Sequence, residues 1–83
     1  MKVEFSIHAL ERMNARGISK DDVIKTLSHH DFVNEQDAET NVYSKVLIKN
    51  NKKYLYRVFV NELKKPSLVI TVYRTSKIGK YGY

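Results

Sequence analysis

Two residues near the start of the chain, His8 and Arg12, stand four apart. If that segment is helical they share one face, where a neutral imidazole could take a proton beside a guanidinium that holds an anion. A third cation, Arg57, interrupts the strand-like run YLYRVFV. A charge in such company must reach solvent or meet an anion, because burying it unpaired is very costly. Its partner would be a phosphate, or an acid on a neighbouring segment such as Glu35, Asp37 or Glu62. The chain closes with VITVYRTSKIGKYGY, residues 69–83, which crowds cations and hydroxyls behind an apolar strand. Arg74 suits a phosphate through its two-pronged geometry. Thr75 and Ser76 can donate to its oxygens, Lys77 and Lys80 add charge, and Tyr73 or Tyr81 offers a stacking ring or a phenolic proton. Together these residues resemble a metal-free phosphodiester site. The plainer alternatives are a surface histidine beside a surface arginine, and a polar terminus whose Tyr81 and Tyr83 rest on a sheet edge.

Other chemistries find no footing. Cysteine is absent, so thiolate nucleophiles, thiolate metal sites and disulfides are excluded. His29 and His30 are adjacent, with no third ligand at helical spacing, and are expected to cap a helix or face solvent. Gly79 and Gly82 lack the spacing and the following helix of a phosphate-cradling loop. No acid pair suggests a glycosidase or a two-metal centre. No metal and no cofactor is therefore expected.

The elements that must position these groups are legible in outline. In SIHALERMNARG, Ser6 suits an N-cap, Ile7, Leu10 and Met13 form a stripe, and Gly17 suits the stop. In SKDDVIKTLSHH, Ser19 is the expected cap, two acids occupy the first turn, and Val23, Ile24 and Leu27 should face inward. Beyond Asp31 the pattern turns to strands. VYSKVLIK (42–49) and KYLYRVFVN (53–61) flank Asn50-Asn51, a pair that tolerates the positive φ of a tight hairpin. LVITVYRT (68–75) returns after Pro66, and FVNEQ (32–36) is a shorter strand. The expected fold is α+β, with two N-terminal helices packed on a three- to four-stranded antiparallel sheet.

Eighty-three residues suit one domain, 1–83, with one modest core. The N-terminus lacks a signal-peptide pattern, and no stretch approaches the roughly 18 apolar residues of a membrane span. A cytoplasmic protein with no membrane partner is the expectation. The net charge of +6 is uneven: residues 1–41 carry −3 and residues 42–83 carry +9. The second half should attract a polyanion such as RNA or DNA. The alternative for Lys49, Lys52, Lys53, Lys64 and Lys65 is that they protect hairpin ends and sheet edges.

HALERMNARGIS, with VITVYRTSKIGKY at the far end, resembles a family of small bacterial and archaeal domains of unassigned function that begin His-Ala-x-x-Arg-Met-x-x-Arg-Gly-Ile. That family is grouped with the RelE-like toxins, within the fold shared by barnase-type and colicin-type ribonucleases. The likeness spans nearly the whole chain. It implies a RelE-like domain that cleaves RNA without a metal, restrained by an acidic antitoxin protein covering the basic half. The motif's histidine falls on His8 and its arginines on Arg12 and Arg16. The use of sheet cations and a C-terminal tyrosine by RelE-like toxins points more loosely to Arg57, Arg74 and Tyr81 or Tyr83. A non-catalytic RNA-binding module, or a protein-interaction module, on the same fold is the competing expectation.

Overall fold

The chain enters the sheet before it forms a helix. In the computed structural model, which describes residues 2–81 with the Tyr81 side chain excepted, Val3–Phe5 form strand β1. Helices α1 (Ile7–Arg16) and α2 (Lys20–Ser28) follow, then strands β2 (Phe32–Glu35), β3 (Thr40–Lys49), β4 (Lys52–Asn61) and β5 (Ser67–Thr75), and a short 3-10 helix, Ile78–Tyr81. The fold is α+β, with the two helices against one five-stranded sheet of order β1-β5-β4-β3-β2. The expectation of three or four antiparallel strands needs correcting in two respects. The sheet has a fifth strand, and that strand pairs with β5 in parallel, Val3 opposite Ser67 and Phe5 opposite Val69. Three residues are too few to show an alternation, which is why β1 escaped notice; it is defined by its partner.

Local signals explain the turns. Ser6 and Ser19 cap the helices, accepting hydrogen bonds from the backbone N–H of Ala9 (3.0 Å) and Asp22 (3.1 Å). Gly17 ends α1 at φ 65°, a left-handed conformation that glycine adopts without steric cost. Asn50 and Asn51 take φ of 52° and 64°, as a two-residue hairpin joining β3 to β4 requires. That turn sets the register of the hairpin from Lys49 opposite Lys52 to Thr40 opposite Asn61.

The core lies between the helices and one face of the sheet. Ala9 and Met13 of α1 and Val23 and Leu27 of α2 pack against Tyr43, Leu47, Tyr56, Val58, Val60, Val69 and Val72. The inward stripe of α1 differs from the expected one: Ile7 is 77% exposed and Leu10 40%. The small Ala9, one turn before Met13, lets the helix approach β5 closely, which rotates the apolar stripe partly out to solvent. Ile24, also 40% exposed, is turned outward in the same way, while Thr26 is buried in its stead. Asp22 is buried too, held by Lys49 Nζ at 2.8 Å, with the Tyr56 hydroxyl donating to it at 3.4 Å.

Ser6 joins three elements at once. Its N–H donates to Val69 O (3.0 Å), its Oγ–H donates to Ile70 O (2.8 Å), and the same oxygen caps α1. Ile70 is the extra residue of a bulge, since Phe59 faces Thr71 whereas Val60 faces Val69. The bulge lets Val69 and Val72 both point into the core. Ser6→Ala is therefore expected to lower stability by about 1–2 kcal/mol, through the lost cap and the lost bond to the bulge, with Ser6→Thr recovering most of it. Urea unfolding measures both, and an alanine variant as stable as the parent would show that Ser6 ties nothing together.

Candidate functional site

Alternation along β4 and β5 sorts the proposed site residues onto two faces of the sheet. Arg57 pairs with Tyr73 across β4 and β5 and with Ser44 across β3 and β4, all on the face that carries no helix. Phe59 and Thr71 form the next pair on that open face, and the Arg57 guanidinium lies 5.5 Å from the Phe59 ring centroid. Arg74 pairs with Tyr56 and so points to the helix side. There its guanidinium donates to Arg16 O at 2.7 Å, and it lies 5.1 Å from the ring centroid of Tyr54 and 5.9 Å from that of Tyr56. A cation at this place caps the negative end of α1.

The outer edge of β5 is covered by β1 only from Ser67 to Val69. Beyond it, α1 lies alongside β5, and Arg12 reaches a hollow of about 310 Å³ shared with Arg57, Phe59, Thr71, Val72 and Tyr73. Val72 belongs to the helix face while Thr71 and Tyr73 belong to the open one, so the hollow straddles the strand edge. Two guanidinium groups line it and no carboxylate does. Arg12 also lines a second hollow along α1 with His8, Glu11, Ala15 and Arg16. Arg57 also lines a third, about 300 Å³, on the open face, with Phe32, Asn34, Glu35, Gln36 and Ser44 about its walls. Val42 and Leu55, 2% and 1% exposed, complete that third hollow and are buried although no helix covers them. The three hollows thus form one band from α1 across the sheet, linked by Arg12 and then by Arg57.

The structure brings Arg12, Arg57 and Tyr73 together, and His8, Arg12 and Arg16 together. Arg74 stays apart from His8: it is bound at the last turn of α1, roughly 12 Å along the helix axis from the first turn, where His8 sits. Thr75 shares the open face, and its Oγ accepts from Lys77 N–H (3.1 Å) to shape the turn after β5. Ser76, Lys77 and Lys80 are exposed on the turn and the 3-10 helix. The side chain of Tyr81, and all of Tyr83, lie outside the described residues. Among the described residues no group of three or more His, Asp or Glu is placed to hold a metal ion, and no helix is long and apolar enough to cross a membrane.

Of the three acids considered for Arg57, two are engaged elsewhere. Glu62 Oε1 accepts from Asn41 Nδ2 (2.8 Å) and from the Tyr43 hydroxyl (2.6 Å). Asp37 Oδ1 accepts from the N–H of Glu39 and Thr40, both at 2.9 Å, and the Glu39 bond foremost holds its carboxyl below the usual range. Only Glu35 lines a hollow with Arg57. Two cations of the basic half are likewise drawn to acids of the first half, Lys49 to Asp22 and Lys45 to Asp31 (3.6 Å). The hydrogen bond to Asp22 raises the pKa of Lys49.

Sequence reasoning overlooked Phe59, Thr71, Asn34, Gln36 and Ser44. The first and last were within reach: a two-residue turn at Asn50-Asn51 dictates that Ser44 faces Arg57, and period-two alternation places Phe59 beside them. Thr71 depends on the bulge, and Asn34 and Gln36 on the pairing of β2.

A family model described as a domain of unknown function, DUF4258, matches residues 5–74. No curated protein and no solved structure matches the chain.

Two measurements probe the surroundings of the site. Burial, then the hydrogen bond to Glu62 and its charge, pushes the Tyr43 phenol up from 10.0 to about 12. Between those pH values the unfolded chain gives up this proton while the folded chain keeps it, so stability falls as pH rises from 10 to about 12. In Tyr43→Phe that alkaline fall should be shallower, as read from urea midpoints across the window; an unchanged slope would rule Tyr43 out as its source. The Ser44 hydroxyl is buried with no hydrogen-bond partner. Ser44→Ala should therefore leave stability unchanged or raise it by about 1 kcal/mol, and a clear loss would show that the hydroxyl is satisfied in solution.

Proposed function

The chain belongs to the DUF4258 family, whose function is unknown, and from the geometry of its hollows we propose that it is a RelE-like, metal-independent endoribonuclease. The observation that carries the reading is that Arg12 from a helix and Arg57 from the sheet line one hollow with Tyr73 and no carboxylate. Two guanidinium groups so placed suit the charge that builds on the non-bridging oxygens of a phosphodiester during in-line attack. His8, in the adjoining hollow with Arg12, takes the proton of the ribose 2′-hydroxyl as that oxygen bonds to phosphorus. The bond to the 5′-oxygen breaks, and the Tyr73 phenol supplies its proton in preference to Tyr81 or Lys77. The products are a 2′,3′-cyclic phosphate and a 5′-hydroxyl, with the His8 proton returned through solvent to the phenolate. Arg74 is left out because its guanidinium already serves the end of α1. The resemblance of its end motifs to a family grouped with the RelE-like toxins supports the same reading, including an acidic protein partner for the basic half.

One observation favours a second reading, an RNA-binding domain without turnover. His8 and Arg57 line neighbouring hollows, not the same one, so base and phosphate grip meet only through Arg12.

Incubating end-labelled RNA with the protein in EDTA separates the two. Scission leaving cyclic-phosphate ends is expected, with the matched DNA left intact for want of a nucleophile. His8→Ala should slow cleavage by roughly a hundredfold to ten-thousandfold. RNA that is retarded on a gel but never cut would replace the enzyme by the binder, and RNA neither cut nor retarded at moderate salt would remove both.

A further inference from the structure

The third hollow asks for an occupant. Its floor is made by Val42 and Leu55, 2% and 1% exposed, with Ser44, 1% exposed, beside them. Around it the chemistry is of two kinds. Phe32 offers a half-exposed ring against an apolar floor, which suits the flat faces of a planar ligand. Asn34 and Gln36, which alternate with Glu35 and share the open face with Phe32, offer amides, which suit a ring edge that carries both donors and acceptors. A volume of about 300 Å³ is at the small end of ligand sites and admits one ring system. Arg57 forms the wall shared with the arginine-lined hollow, so a ligand here sits next to whatever anion Arg12 and Arg57 hold.

We infer that this hollow holds a nucleobase bearing an exocyclic amino group, splayed from a single strand beside the phosphate bound at Arg12 and Arg57. The inference deepens the RNA reading above and rests on it. Bases unstacked in this way are read by stacking on aromatic rings and by hydrogen bonds to their edges. Asn and Gln pair with edges that combine an amino donor with a ring-nitrogen acceptor, and uracil lacks the amino group.

The test is an NMR titration of the full chain with AMP, CMP, GMP, UMP and ribose 5-phosphate. At least one amino-bearing nucleotide should bind roughly tenfold more tightly than UMP and ribose 5-phosphate, with shifts at the amides of Asn34, Gln36 and Ser44. The double variant Asn34→Ala with Gln36→Ala alters two exposed side chains, so the fold is retained. It should bring all ligands to the affinity of ribose 5-phosphate. Equal affinities in the parent chain, preference for UMP, selectivity that survives the double variant, or no shift at those amides at saturation would each overturn the inference. The RNA assay is read separately. Cleavage without base selectivity defeats the base pocket alone, whereas selectivity without cleavage keeps the pocket and defeats the enzyme.

Discussion

The bulge at Ile70, held by Ser6, governs which groups the last strand shows to each side of the sheet. A strand that slips by one residue exchanges its faces. Without the extra residue in β5, the pairing of Asn61 with Leu68 would continue and set Arg74 opposite Leu55, on the open face, with Tyr73 turned toward the helices. With it, Tyr73 joins Arg57 outside and Arg74 joins Tyr56 inside. The hydroxyl that holds the bulge's carbonyl also begins α1, so the helix bearing His8 and Arg12 is registered against the strand bearing Thr71 and Tyr73 by a single side chain.

This arrangement divides the arginines between two kinds of work. Arg74 spends its guanidinium on the carbonyl end of α1 and on two tyrosine rings, which secures the helix. Arg12 and Arg57 meet at a strand edge that β1 is too short to cover. Lys45 and Lys49 of the basic half answer acids of the first half on the helix side. The net charge of the second half therefore overstates its exposed positive charge, because part of it is cancelled across the fold.

Where local chemistry decides, the sequence was a reliable guide. Ser6, Gly17, Ser19 and the Asn50-Asn51 pair act through capping and positive φ, which depend on a few neighbouring atoms. The hairpin register follows from its turn, so the meeting of Ser44 with Arg57 was implicit in the chain. The stripe of α1 was misjudged because Ile7, Leu10 and Met13 satisfy a helical period while the actual contact runs through Ala9, chosen by how closely α1 can approach β5. Strand β1 was missed because it is defined by its parallel partner more than sixty residues away.

The amino-acid sequence by itself thus determined the helices, the hairpin and its register, and the kinds of group available: one early imidazole with a nearby guanidinium, and cations on strands. Only the tertiary structure decided that Arg12 meets Arg57 and Tyr73, that Arg74 turns away, and that Ser44 is buried on a face that no helix covers. The physical reason is range. Caps and turns are settled within a few residues, whereas a bulge's position, a helix's closeness to a sheet and an uncovered strand edge arise only when distant segments compete for the same space.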